Sequence, residues 1–200
     1  MAPRLMLVTD RNGTAGRDLV DVVDAAVTGG VDTVQVREKD LPDDALIELT
    51  IRIIEAVDGR AIVLLNGRPD LAAKMELGLH LPTDAPAPYK GDWPVWGRSV
   101  HSIVEAKSAA LQFPDYMVLG TIFPTNSKPG HPGSGLDLIK AVTETVFPMP
   151  LLAIGGINIE RTDSVLDAGA TGLAVQSAIL KAPNPEGVAR ALNARLRAQS

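Results

Sequence analysis

The chain has no cysteine, which removes a disulfide framework, a thiolate nucleophile and the commonest ligands of a structural zinc. It has three histidines, and no two stand at the helical spacing of a zinc pair. Lysine and arginine total 19 against 24 acidic residues, a net charge of −5; a phosphate-backbone surface needs the opposite balance. No apolar run reaches the length a bilayer requires. The few apolar residues before Asp10 read as a first strand, not a signal peptide, and a cytoplasmic location is expected. Hydrophobic content of 46% and charged content of 22% over 200 residues are values of one folded domain.

Strand-like and helix-like segments alternate from end to end, the signature of an α/β fold with a parallel sheet. The pattern predicts strands at Leu5–Thr9, Thr33–Arg37, Ala61–Leu65, Leu79–Leu81, Val95–Val100, Tyr116–Gly120, Leu151–Ile154 and Gly172–Val175. Helices are predicted at Asp18–Val27, Asp43–Val57, Pro69–Glu76, Ser102–Leu111, Leu136–Val146, Ile159–Ala168 and Pro185–Arg197. Eight strands in one domain spanning residues 1–200 predict a (β/α)8 TIM barrel with few insertions. Two stretches break the rhythm. Pro82–Pro94 encodes a helix poorly, and Thr121–Gly135, rich in proline and glycine, reads as a flap after the sixth strand.

The candidate site residues fall at the C-terminal ends of these strands, where such barrels build their sites. Gly155 and Gly156 end the seventh strand, and Gln176 and Ser177 follow the eighth, so free backbone N–H groups form a phosphate cup. Alternation along the second strand puts Gln35, Arg37 and, if the chain stays extended, Lys39 on one face. That row suits an anionic ligand, or else it is a strand end paired with Glu38 or Asp40. Asn66-Gly67 is either a site turn or a plain one. Ser102 and Glu105 form a capping box, which leaves His101 between strand end and helix cap, on the side of Ser99 and Gly97. There it is either an acid/base or a packing histidine. His80 reads as a hydrogen-bonded core residue, and His131 as a loop residue that closes over a ligand or stays exposed. Thr125 and Lys128 bring a hydroxyl and a cation beside the cup.

LVTD, QVREK, LGTIFPTNSKPG, LLAIGGI and GLAVQSAI, in that order, resemble the thiamine phosphate synthase superfamily over nearly the whole chain. Synthases of that superfamily carry Asn-Asp after the third strand and a second acid after the fourth, and together these hold the Mg²⁺ of a pyrimidine diphosphate. Here the places are Asn66-Gly67 and, beside Asp84, Ala85. LNGRPDLA, LHLP and GRSVHS are similar to the TenI-type thiazole tautomerases. That branch implies an isomerase that aromatises a carboxylated thiazole phosphate tautomer, with His101 as acid/base, no cofactor and no metal. The resemblance further implies a phosphate held by Gly155, Gly156, Gln176, Ser177 and Thr125, and a carboxylate met by Arg37, with Lys39 or Lys128. Two alternatives stand beside it: a synthase joining thiazole phosphate to hydroxymethylpyrimidine diphosphate with Mg²⁺, and a non-catalytic regulatory binder. The expected partner is a small-molecule thiazole phosphate, with neither nucleic acid nor membrane, in a homo-oligomer, a dimer.

Overall fold

Short apolar strands buried on both faces are stable only inside a covered parallel sheet, and the chain solves this by closing the sheet on itself. The computed structural model describes residues 2–88 and 93–199. Its strands are β1 Leu5–Val8, β2 Thr33–Val36, β3 Ile62–Asn66, β4 Gly78–Leu81, β5 Trp96–Val100, β6 Tyr116–Gly120, β7 Leu151–Ile154 and β8 Gly172–Val175. They pair in parallel in chain order, and β8 returns to β1 in a closed barrel. The helices are α1 Leu19–Thr28, α2 Asp43–Val57, α3 Pro69–Lys74, α4 Ile103–Ala110, α5 Gly135–Val146, α6 Thr162–Asp167, α7 Ser177–Leu180 and α8 Pro185–Ala198. This is the (β/α)8 barrel that the alternation predicts.

Alternation along each strand divides the core in two. Leu5, Leu7, Val34 and Val36 face outward into a layer shared with the helices. Met6, Val8, Leu64, Tyr116, Val118, Leu152 and Ala174 fill the barrel interior. Helix starts follow the caps: Asp18 accepts from the Val20 N–H at 2.7 Å and Ser102 from the Glu105 N–H at 3.2 Å. Gly29 seals the seam between the chain ends, since a Cβ there would stand 2.3 Å from the Glu186 carbonyl oxygen of α8.

Two local expectations are corrected and a third is met. The segment predicted as one helix from Ile159 begins as a 3₁₀ turn, Ile159–Arg161, because Asn158 caps the Arg161 N–H and tightens the first turn. The second strand stops at Val36, so Arg37 and Lys39 lie beyond the ladder. Between Leu81 and Trp96 the described residues form no helix, as the poor helical coding predicts, and residues 89–92 of that stretch lie outside the described residues. No helix among the described residues is long and apolar enough to cross a membrane.

Candidate active site

The C-terminal ends of the strands enclose a cavity of about 330 Å³. Gln35, Arg37, Asn66, His101, Thr125, Lys128, Gly155, Gly156, Gln176 and Ser177 all line it, so ten of the eleven residues singled out in the sequence meet in one place. Lys39 does not. Because β2 ends at Val36, residues 39 and 40 turn away, and Lys39 opens on an adjoining hollow with Asn66, Gly67 and Arg68. Asn66 borders both spaces. Val8, Val118, Ile154 and Ala174 give the main cavity an apolar wall.

His101 extends the inward face of β5. Its backbone N–H donates to Glu105 Oε2 at 2.5 Å, and its ring Nδ1 is hydrogen-bonded to the Gly120 carbonyl. A carbonyl only accepts, so Nδ1 carries the proton and Nε2 is left for the cavity. Glu105 thus reaches back one residue further than a standard capping box would take it.

The cavity floor was less legible. His80 is 1% exposed, yet it lines the cavity together with Ser99. Its Nδ1 lies 3.0 Å from the Tyr116 hydroxyl and its Nε2 2.9 Å from Ser99 Oγ. Burial pushes the His80 pKa down to about 3, helped by the charges of Arg37 and Arg98, so the ring is neutral. Gly97 leaves no void: a Cβ there would fall 2.2 Å from the Tyr116 ring, which takes that space. Alternation from Gly97 would have found Ser99. Asp10, Thr121 and Ser127, also in the lining, carried no comparable signal.

On the opposite side, Gly155 and Gly156 have φ of +101° and +64°, which favour glycine. Each also packs against the loop after β6. A Cβ on Gly155 would stand 2.5 Å from Thr121 Cγ2, and one on Gly156 would stand 2.8 Å from the Pro124 carbonyl oxygen. The glycines therefore let two loops touch as well as baring their N–H groups. That loop is tied at both ends, Phe123 N–H to the Gly155 carbonyl at 3.0 Å and Ser134 N–H to the Thr121 carbonyl at 2.8 Å. Ser127 at its tip donates to Gln176 Oε1 at 3.2 Å. His131 is exposed, accepts from Gly133 N–H, and does not line the cavity.

Charge at the mouth is ordered by pairs. Glu38, 5% exposed, accepts from Thr9 Oγ1 at 2.6 Å and from Arg11 Nη1 at 3.1 Å. Arg11 also pairs with Asp40, so both acids that could have neutralised the Arg37 row are taken by a different arginine. The carboxylates do not make a magnesium site. No three His, Cys, Asp or Glu side chains among the described residues are grouped to hold a metal. Gly67 has open space where a carboxylate would project, with Pro82 Cδ 4.0 Å from a built Cβ, and Asp84 is exposed. A hard dication needs several oxygen ligands, and this donor set does not fit one.

The profile of a family described as thiamine monophosphate synthase matches residues 5–179. A thiamine-phosphate synthase of Thermus thermophilus is 37% identical over 199 residues, covering 96% of this chain and 95% of its own length. A putative thiamine-phosphate synthase of Geobacter sulfurreducens is 40% identical, covering 96% and 93%. Among solved structures, a thiamine phosphate pyrophosphorylase from Pyrococcus furiosus superposes with a TM-score of 0.84 at 27% identity, covering 98% and 96%. The Thermus and Geobacter relatives carry the synthase name and match over nearly their whole length, which overturns the expectation of a thiazole tautomerase drawn from the missing acids and from LNGRPDLA, LHLP and GRSVHS. The barrel, the ordered strand-end motifs and the full-length matches together place this chain in the thiamine monophosphate synthase family.

Proposed function

We propose that the protein is a thiamine-phosphate synthase, a transferase that joins thiazole phosphate to hydroxymethylpyrimidine diphosphate. The observation that carries this is full-length similarity to named synthases, with a cavity that offers two separate anion-binding ends. At one end Gly155, Gly156, Gln176 and Ser177, with Thr125, take the thiazole phosphate. At the other Arg37 and Asn66 take the diphosphate, with Lys39 reaching from the adjoining hollow and Lys128 from the loop after β6. The apolar wall and the neutral floor of His80 and Ser99 lie between them, suited to flat, uncharged rings.

The chemistry is a substitution at the pyrimidine methylene carbon. The lone pair of the thiazole ring nitrogen forms the new C–N bond, the C–O bond to diphosphate breaks, and the departing oxygen keeps the electron pair. Nothing is oxidised or reduced. No proton leaves the ring nitrogen, so His101 has no base role. With Nδ1–H fixed on the Gly120 carbonyl, Nε2 faces the cavity, where a proton taken up from solvent is donated to the departing diphosphate oxygen and then replaced from solvent. Holding the two rings in contact, with cations at the leaving group, supplies the rest of the rate.

The test is direct. Purified protein mixed with both substrates is followed by mass spectrometry for thiamine phosphate and released diphosphate, with and without Mg²⁺. Stoichiometric appearance of both products is expected; absence of thiamine phosphate in every buffer overturns the assignment.

A further inference from the structure

We propose that this site binds and releases diphosphate without a divalent cation, the ion's work being divided between the side-chain cations of the mouth and the buried guanidinium of Arg98. The proposal rests on the synthase reading.

The carboxylates that line the cavity and the adjoining hollow, Asp10 and Glu38, already have partners. Both Asp10 oxygens are used, by the Asn12 N–H at 3.1 Å and the Gln176 amide at 3.4 Å. Glu38 is saturated by Thr9 and Arg11. Position 67 is open, but its backbone stands at φ +69°, which favours the glycine found there over an acid. Net charge explains why such a loss is tolerable. Two carboxylates and one dication sum to zero; removing all three leaves the same sum, while Arg37 and Lys128 line the cavity and Lys39 the hollow that joins it at Asn66. With the two acids gone, a dication would be held by the diphosphate alone, beside cations that compete for the same oxygens.

Arg98 supplies the second part. It lies on the outward face of β5, 4% exposed, behind the loop where the second acid would stand. Its Nη1 donates to the carbonyls of Thr83 at 3.2 Å and Ala85 at 2.8 Å, and its Nη2 to Pro86 at 3.1 Å. An ion bridging the loops after β3 and β4 would anchor this loop from the front; the guanidinium anchors it from behind through three carbonyls. The same fixed charge raises the cost of placing a dication nearby. Burial already lowers the pKa of Arg98, with only Asp84 acting to raise it, so the region resists further positive charge.

The probe is inorganic pyrophosphate, titrated calorimetrically into the full chain in EDTA and in Mg²⁺, with free pyrophosphate matched. Binding in EDTA is expected, altered less than about threefold by Mg²⁺, and weakened about tenfold or more in Lys39→Ala and in Lys128→Ala. Spin resonance of Mn²⁺ should show no binding to the native protein and measurable binding to Gly67→Asp/Ala85→Asp. Pyrophosphate binding that requires Mg²⁺, no binding in either buffer, or native Mn²⁺ affinity overturns the proposal. The synthase assay separates the two claims. Thiamine phosphate formed only with Mg²⁺ keeps the synthase and removes metal-free handling. Metal-free pyrophosphate binding with no thiamine phosphate in any buffer does the reverse.

Discussion

His80 Nε2 stands 2.9 Å from Ser99 Oγ on the floor of the cavity, and the protons between them are ordered. Tyr116 is fully buried and its hydroxyl has no other hydrogen-bond partner among the described residues. Its proton therefore goes to His80 Nδ1, Nε2 carries the ring proton, and that N–H donates to Ser99. The serine proton is left to point at a ligand acceptor. The arrangement works only while His80 is neutral.

The first prediction follows from that neutrality. The folded His80 titrates at about 3, whereas an unfolded histidine titrates near 6.5. Between these values the unfolded chain binds a proton that the folded chain refuses, so stability rises with pH across the window and is lost as pH falls through it. Melting temperature should fall from pH 6.5 toward pH 4 more steeply for the native protein than for His80→Gln. Parallel slopes would assign the acid sensitivity to other groups.

His101→Ala should lower turnover by about a hundredfold or more while leaving KM within a few-fold, because the lost group acts on the departing oxygen and not on the bound phosphates. His131→Asn, outside the cavity, should change neither. A variant at position 101 with near-native turnover would end the role given to Nε2.

Gly156→Val tests the reason for the glycine pair. Sequence alone suggests that a bulky residue would block a phosphate and spare the fold. The positive φ and the 2.8 Å approach to Pro124 predict damage to both, because the branched side chain displaces the loop after β6. Destabilisation of about 1–3 kcal/mol is expected from overpacking, together with weakened phosphate binding. Native melting with lost binding would restore the simpler view.

The barrel was legible because its evidence is repetitive: most strands are short apolar runs, and α1, α4 and α8 begin at side-chain caps that need no distant partner. The site residues were legible where strand end and residue type coincide, as at Arg37, Asn66, His101 and Gly156. Lys39 opens on the adjoining hollow and not on the main cavity because β2 ends at Val36, one residue short of the predicted strand. His80, Ser99 and Tyr116 form one network across three strands, and only the closed register that sets Asn66 beside His80 and His80 beside Gly97 brings them together. The functional branch is not legible in LNGRPDLA, LHLP, GRSVHS and two missing acids, because such short stretches weigh less than similarity to named synthases over the whole chain.

The last prediction concerns how β1 and β2 hold Arg37. Thr9 Oγ1 accepts the Arg37 backbone N–H at 2.9 Å and donates to Glu38 Oε1 at 2.6 Å, and Thr9 is fully buried. Thr9→Val keeps the shape of the strand end but leaves an N–H and a carboxylate oxygen short of a partner. That costs about 1–3 kcal/mol, or about 2–4 °C of melting temperature for each kcal/mol in a chain of this size. Since Arg37 faces the diphosphate end, pyrophosphate affinity should fall along with stability, whereas Thr9→Ser, which keeps the hydroxyl, should recover the affinity. Calorimetry with pyrophosphate on both variants decides the matter. If valine binds as well as serine, Arg37 is positioned by its own side-chain surroundings and the threonine bridge is only part of the core.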